Sequence, residues 1–115
     1  NWTGVEQLGG QTARAMMVLK LDLRDRAVLQ DYRRVAADGT ELVGHGVFLL
    51  DPGTDEVRWW FFDSSGAAPT PLPGRWVDGA LVLGVEGEHR LWLDGDRLRR
   101  VAPGLSAAYS RISGH

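Results

Sequence analysis

Side chains able to do chemistry are few in this sequence and no two of them form a recognised motif. His89, Asp31, Arg33, Arg100 and Tyr109 are the polar groups whose positions in the alternation given below turn them toward one interior. In a closed pocket, a histidine and an aspartate would serve general acid–base chemistry. Here several strand-length segments separate them, and no serine–histidine–aspartate spacing, metal-ligand cluster or phosphate-cradling glycine loop accompanies them. With the aromatic walls Trp59, Phe61 and Trp76, the same polar set instead describes an apolar pocket with a few orienting hydrogen bonds. These eight residues are the candidate ligand-binding set. For Asp31 and Arg33, pairing with each other or with Arg100 is the alternative, because an unpaired inward charge is costly. His89 has the alternative role of a satisfied core histidine.

The elements that must position these groups are marked by glycine-centred turns: Asp38-Gly39, Asp51-Pro52-Gly53, Asp78-Gly79, Asp94-Gly95 and Pro103-Gly104. Each lies between segments rich in Val, Leu, Trp, Phe or Tyr, the local signature of a β-hairpin. Nine or ten strands follow, at about 2–9, 13–24, 27–37, 40–51, 56–63, 74–78, 80–86, 89–94, 97–102 and 106–113. The stretch from Ser64 to Pro73 holds three of the five prolines and is expected as a loop at a barrel mouth. The chain, 115 residues long, is expected to form one domain, residues 1–115, folded as an all-β, single antiparallel up-and-down barrel. Closure removes the exposed edges that an open sheet of so many strands would leave.

Hairpin lengths set which side chains face inward. Taking Asp78-Gly79 and Asp94-Gly95 as two-residue turns and Glu86 to Glu88 as a three-residue turn puts Trp76, Leu81, Leu83, Val85, His89, Leu91, Leu93, Leu98 and Arg100 on one mostly apolar face. The same parity carries Ala107, Tyr109 and Arg111 inward. In the first half, a two-residue Asp38-Gly39 turn would align Leu29, Asp31, Arg33 and Val35 with Leu42, Gly44, Gly46, Phe48 and Leu50. A four-residue turn at 52–55 then adds Val57, Trp59, Phe61 and Asp63. The inward glycines Gly44 and Gly46 make room for a ligand or for bulky neighbours.

Trp2 in the first strand and Arg111 in the last resemble the arrangement of the calycins, the superfamily of lipocalins, fatty-acid-binding proteins and nitrobindins. There an N-terminal Trp packs under a basic residue of the final strand as a cation–π plug. The segments Asp38-Gly39, Gly44 to Asp51 and Phe61 to Ser64, followed by Gly74, are similar to a branch of small bacterial barrel proteins of that superfamily. The resemblance implies a barrel that holds a small, largely apolar ligand. Its nitrobindin branch implies haem held by a histidine shortly before the final-strand arginine, but residues 105–111 contain none, which leaves His45 or His89 as axial candidates and Tyr109 as a rarer one. No cofactor or metal is therefore expected. An enzyme of specialised metabolism, a cyclase, isomerase or hydratase, is the other alternative.

The net charge of −2 gives no global reason to expect nucleic acid or an anionic membrane as partner. Arg90, Arg97 and Arg99 form a local basic stripe around Trp92, balanced by acids at the adjacent turns, so solvated surface is the preferred reading. The chain contains no cysteine, which excludes disulfides and thiolate-held metals. No apolar stretch approaches the roughly 18 residues of a membrane-spanning helix, and a cytoplasmic location is expected. Outward Val47, Leu49, Trp60 and Phe62 form an apolar patch expected to be covered in a homodimer.

Overall fold

In a computed structural model, which describes residues 1–51, 53–66 and 71–112, the chain is a closed ten-stranded antiparallel barrel. The strands are β1 (Trp2–Leu8), β2 (Gln11–Asp22), β3 (Ala27–Ala36), β4 (Glu41–Leu50), β5 (Glu56–Asp63), β6 (Leu72–Val77), β7 (Ala80–Leu83), β8 (His89–Asp94), β9 (Arg97–Ala102) and β10 (Leu105–Arg111). Each pairs with its sequence neighbour, and β1 pairs with β10 to close the ring. The all-β, up-and-down architecture thus follows the turn pattern closely. Among the described residues no helix is long and apolar enough to cross a membrane. Ser64 and Ser65 form a turn and Pro73 lies within β6; residues 67–70 of the expected loop, and Pro52 of the expected 52–55 turn, lie outside the described residues.

Hairpin lengths decide the faces, and one differs from expectation. The β3–β4 loop has three residues, Ala37 to Gly39, closed by Ala36 N–H donating to Thr40 O at 2.9 Å and Gly39 N–H donating to Ala36 O at 2.9 Å. Gly39 takes a φ of 88°, the left-handed conformation that makes a three-residue loop cheap for glycine. Tyr32 therefore pairs with Gly44, and β3 is turned over by one residue. Gln30, Tyr32 and Arg34 face the interior, while Asp31 and Arg33 face outward, a correction to the expected inward set.

The other hairpins keep their faces. Asp78 and Gly79, at φ 50° and 81°, form a two-residue turn between Val77 and Ala80. The β8–β9 turn is Gly95-Asp96 rather than Asp94-Gly95, and the β7–β8 loop has five residues because Leu83, not Val85, pairs with His89. Both changes displace the pairing by two positions, so parity survives; only Val85, 89% exposed in the longer loop, leaves the inward set.

Large side chains occupy the space that the inward glycines leave. The Phe61 ring covers Gly44, and the Gln30 amide and Trp59 indole cover Gly46, so a Cβ at either position would collide with them. Trp59 stacks on Phe48 at 5.5 Å and leans on Phe61 at 5.5 Å, which meets Tyr32 edge-on at 5.7 Å. At the end of the barrel where the termini meet, the Arg111 guanidinium lies 5.1 Å from the ring centre of buried Trp2, and the two residues are register partners. Because Arg111 is exposed, the stack is worth about 0.5–1 kcal/mol. Arg111→Ala should lower stability by that amount in urea unfolding, and a double-mutant cycle with Trp2→Leu should be non-additive; strict additivity would show that the two side chains do not interact.

Candidate functional site

The interior divides into a polar half and an apolar half. The polar half is organised by Glu6, which alternation from Trp2 through Gly4 turns inward on β1 and which is fully buried. Tyr32 Oη lies 2.5 and 2.7 Å from its two carboxylate oxygens, and Tyr109 Oη donates to Oε2 at 2.6 Å. Arg34 Nη1 and Arg100 Nη1 stand 3.8 Å from Oε1 and Oε2. Its five members come from four strands, Glu6 from β1, Tyr32 and Arg34 from β3, Arg100 from β9 and Tyr109 from β10, so the cluster also staples the closing seam of the barrel. A carboxylate with this many charge-assisted partners is one of the few that a protein interior tolerates.

The electrostatics suit storage of protons rather than their transfer. Burial, then the hydrogen bond and negative charge of Glu6, push the Tyr32 phenol well above its ordinary range. Burial does the same for Tyr109, with Glu6 adding to it and Arg100 opposing. Burial works against the charge of Arg100, yet Tyr109, Tyr32 and Glu6 together hold it above its usual value. Both phenols stay protonated and Arg100 stays charged, so none of these three groups is poised to exchange a proton near neutrality.

Between the two halves lie Gln30, Trp59 and His89. Gln30 accepts from Trp59 Nε1 at 3.1 Å and directs its amide nitrogen toward Met17 Sδ at 3.1 Å. His89 meets the Trp59 ring edge-on at 5.9 Å. Burial, and then the charge of Arg100, hold its imidazole below the ordinary histidine value, while Glu88 acts weakly the other way.

The apolar half is a cavity of about 210 Å³ lined by Leu19, Val28, Phe48, Leu50, Leu81, Leu91 and Leu98. It opens beside the turns that join β2 to β3, β4 to β5, β6 to β7 and β8 to β9, and Trp76 and Leu93, 51% and 62% exposed, flank the opening.

Six of the eight residues expected in the pocket face the interior. Trp59 and Phe61 are packed in its middle, Trp76 stands at the mouth, and His89, Arg100 and Tyr109 lie deeper. Asp31 and Arg33 do not join them: on the outer face Asp31 pairs with His45 Nδ1 at 2.6 Å and Arg33 with Glu41 at 2.5 Å. His45 is likewise outside the barrel, which removes one of the axial candidates for haem. Glu6, Tyr32, Arg34 and Gln30 were not in the expected set. Compared with protein-family models, with curated proteins and with solved structures, the chain matches none.

Proposed function

We propose that the protein binds a small, largely apolar molecule in the outer half of its barrel, in the manner of a calycin-like carrier. The observation that carries this reading is the 210 Å³ cavity: apolar side chains line it, none of them titratable, and it is left unfilled in an interior packed elsewhere around Phe48, Trp59 and Phe61. An apolar space bordered by exposed Trp76 and Leu93 gains free energy by exchanging water for hydrocarbon. The Trp2–Arg111 stack and the up-and-down closure support the calycin-like assignment. The volume lies below the 300–1,000 Å³ or so of drug-sized pockets, which favours a ligand smaller than haem. The cavity-lining side chains among the described residues are all apolar, with His89 one pleat deeper, which favours carriage over catalysis.

Naphthalene, a fluorescent hydrocarbon of suitable size, tests the reading. The wild-type protein should bind it, and Leu81→Trp, which fills the cavity from β7, should weaken binding at least tenfold while the protein stays folded, since overpacking costs about 1–3 kcal/mol. Equal binding by both proteins would remove the cavity from the account.

The outer surface supports a second element of the proposal, a homodimer. Val47 and Trp60 are register partners on the outside of β4 and β5, with Leu49 and Phe62, 40% and 47% exposed, on either side. Trp60→Glu should convert the dimer to a folded monomer, because it places a charge in a desolvated apolar contact. Sedimentation of the wild-type protein as a monomer at high concentration would contradict the dimer.

A further inference from the structure

Among the described residues, His89 Nδ1 is the one buried side-chain nitrogen or oxygen that has no hydrogen-bond partner. Its neighbours are cavity-lining: His89 shares the inward face of β8 with Leu91, one pleat deeper, and its ring meets the Trp59 indole that stacks on Phe48. A buried polar atom without a partner costs on the order of 1–3 kcal/mol, so its occurrence beside an unfilled space asks for an occupant.

The neighbouring polar groups define what that occupant carries. Arg34 and Arg100, the cations of the inner half, already face Glu6, whose oxygens also take both phenols. The remaining inward acid, Asp63, accepts from Ser65 N–H at 2.9 Å and lies at the opposite rim. Both cations nearest His89 thus already face a carboxylate, and a further carboxylate there would enter without a free counter-charge. We propose that the ligand is a neutral molecule of fewer than about ten heavy atoms, an aliphatic chain or ring bearing one hydroxyl, whose hydroxyl pairs with His89 Nδ1 while its hydrocarbon fills the cavity. A hydroxyl serves either imidazole tautomer, since it donates to a bare nitrogen and accepts from a protonated one. Burial and Arg100 lower the imidazole's proton affinity, which is consistent with an uncharged partner.

This inference rests on the carrier reading, and the test separates the two. Affinities of 1-octanol, octane and octanoate are measured for the wild-type protein and for His89→Leu. Loss of one hydrogen bond should weaken 1-octanol about tenfold in the variant and leave octane unchanged, and octanoate should bind the wild type more weakly than 1-octanol. If octane fails to bind either protein, the carrier reading falls and this inference with it. If octane binds and His89→Leu affects 1-octanol no more than octane, or if octanoate binds tighter than 1-octanol, the hydroxyl class is wrong and the carrier reading stands. His89→Leu removes no existing side-chain hydrogen bond at Nδ1, so it should fold; should it not, nitrogen NMR of wild-type His89 decides the matter. The Nδ1 resonance should move when 1-octanol is added and stay fixed with octane, and a resonance fixed in both would overturn the proposal.

Discussion

Glu6→Ala is expected to lower the folding free energy by about 3–5 kcal/mol, the usual cost of removing one partner from a buried ionic network. The loss has two sources. Arg34 and Arg100 lose the carboxylate that offsets their burial, and Tyr32 and Tyr109 lose the acceptor that their hydroxyls share. Domains of this size have only about 5–15 kcal/mol in total, so the variant should unfold at much lower urea than the wild type. Glu6→Gln keeps the volume and one acceptor oxygen and should cost less. In a Tyr32→Phe, Tyr109→Phe background, Glu6→Ala should cost less than in the wild type, because two of its partners are already gone. A Glu6→Ala protein within about 1 kcal/mol of wild-type stability would show that the network contributes little to the fold.

Stability should also fall steeply at alkaline pH, and the tyrosines set the sign. Both phenols have folded pKa values raised above the unfolded value of about 10. Below that pH both states keep the protons and the contribution is fully present; above it the unfolded chain releases them while the folded barrel retains them. The folded state then binds more protons, and stability drops as pH rises, by about 1.4 kcal/mol per pH unit for each tyrosine. Tyr32 and Tyr109 are the only tyrosines in the chain, so tyrosinate absorbance should appear together with unfolding rather than before it. The Tyr32→Phe, Tyr109→Phe protein should lose this part of the alkaline dependence. Tyrosinate formed in the folded wild-type protein near pH 10 would contradict the buried hydrogen bonds.

Much of this arrangement was legible in the sequence because the turns are spelled by glycine. Asp78-Gly79 and Pro103-Gly104 fix their hairpins directly, and two-residue displacements at the β7–β8 and β8–β9 turns leave His89, Leu91, Leu98, Arg100 and Tyr109 facing inward. Asp38-Gly39 is compatible with a loop of two residues or three, and the two choices put opposite faces of β3 inside. That single ambiguity exchanged Tyr32, Arg34 and Gln30 for Asp31 and Arg33. Glu6 was missed for a different reason. Its alternation with Trp2 was available, but an acid in the middle of a short strand is ordinarily solvent-facing, and its partners come from strands far away in sequence. The filling of Gly44 and Gly46 depends on which side chains lean across from β5 and β3, and no local pattern encodes that.

Methyl NMR during an octane titration tests the central claim, that the outer half of the barrel takes an apolar guest, most directly. Binding in the cavity should shift the methyl resonances of Val28, Leu81, Leu91 and Leu98 together, along one saturation curve, and leave outward Val47 and Leu49 unchanged. Absence of any shift, or shifts confined to Val47 and Leu49, would contradict it.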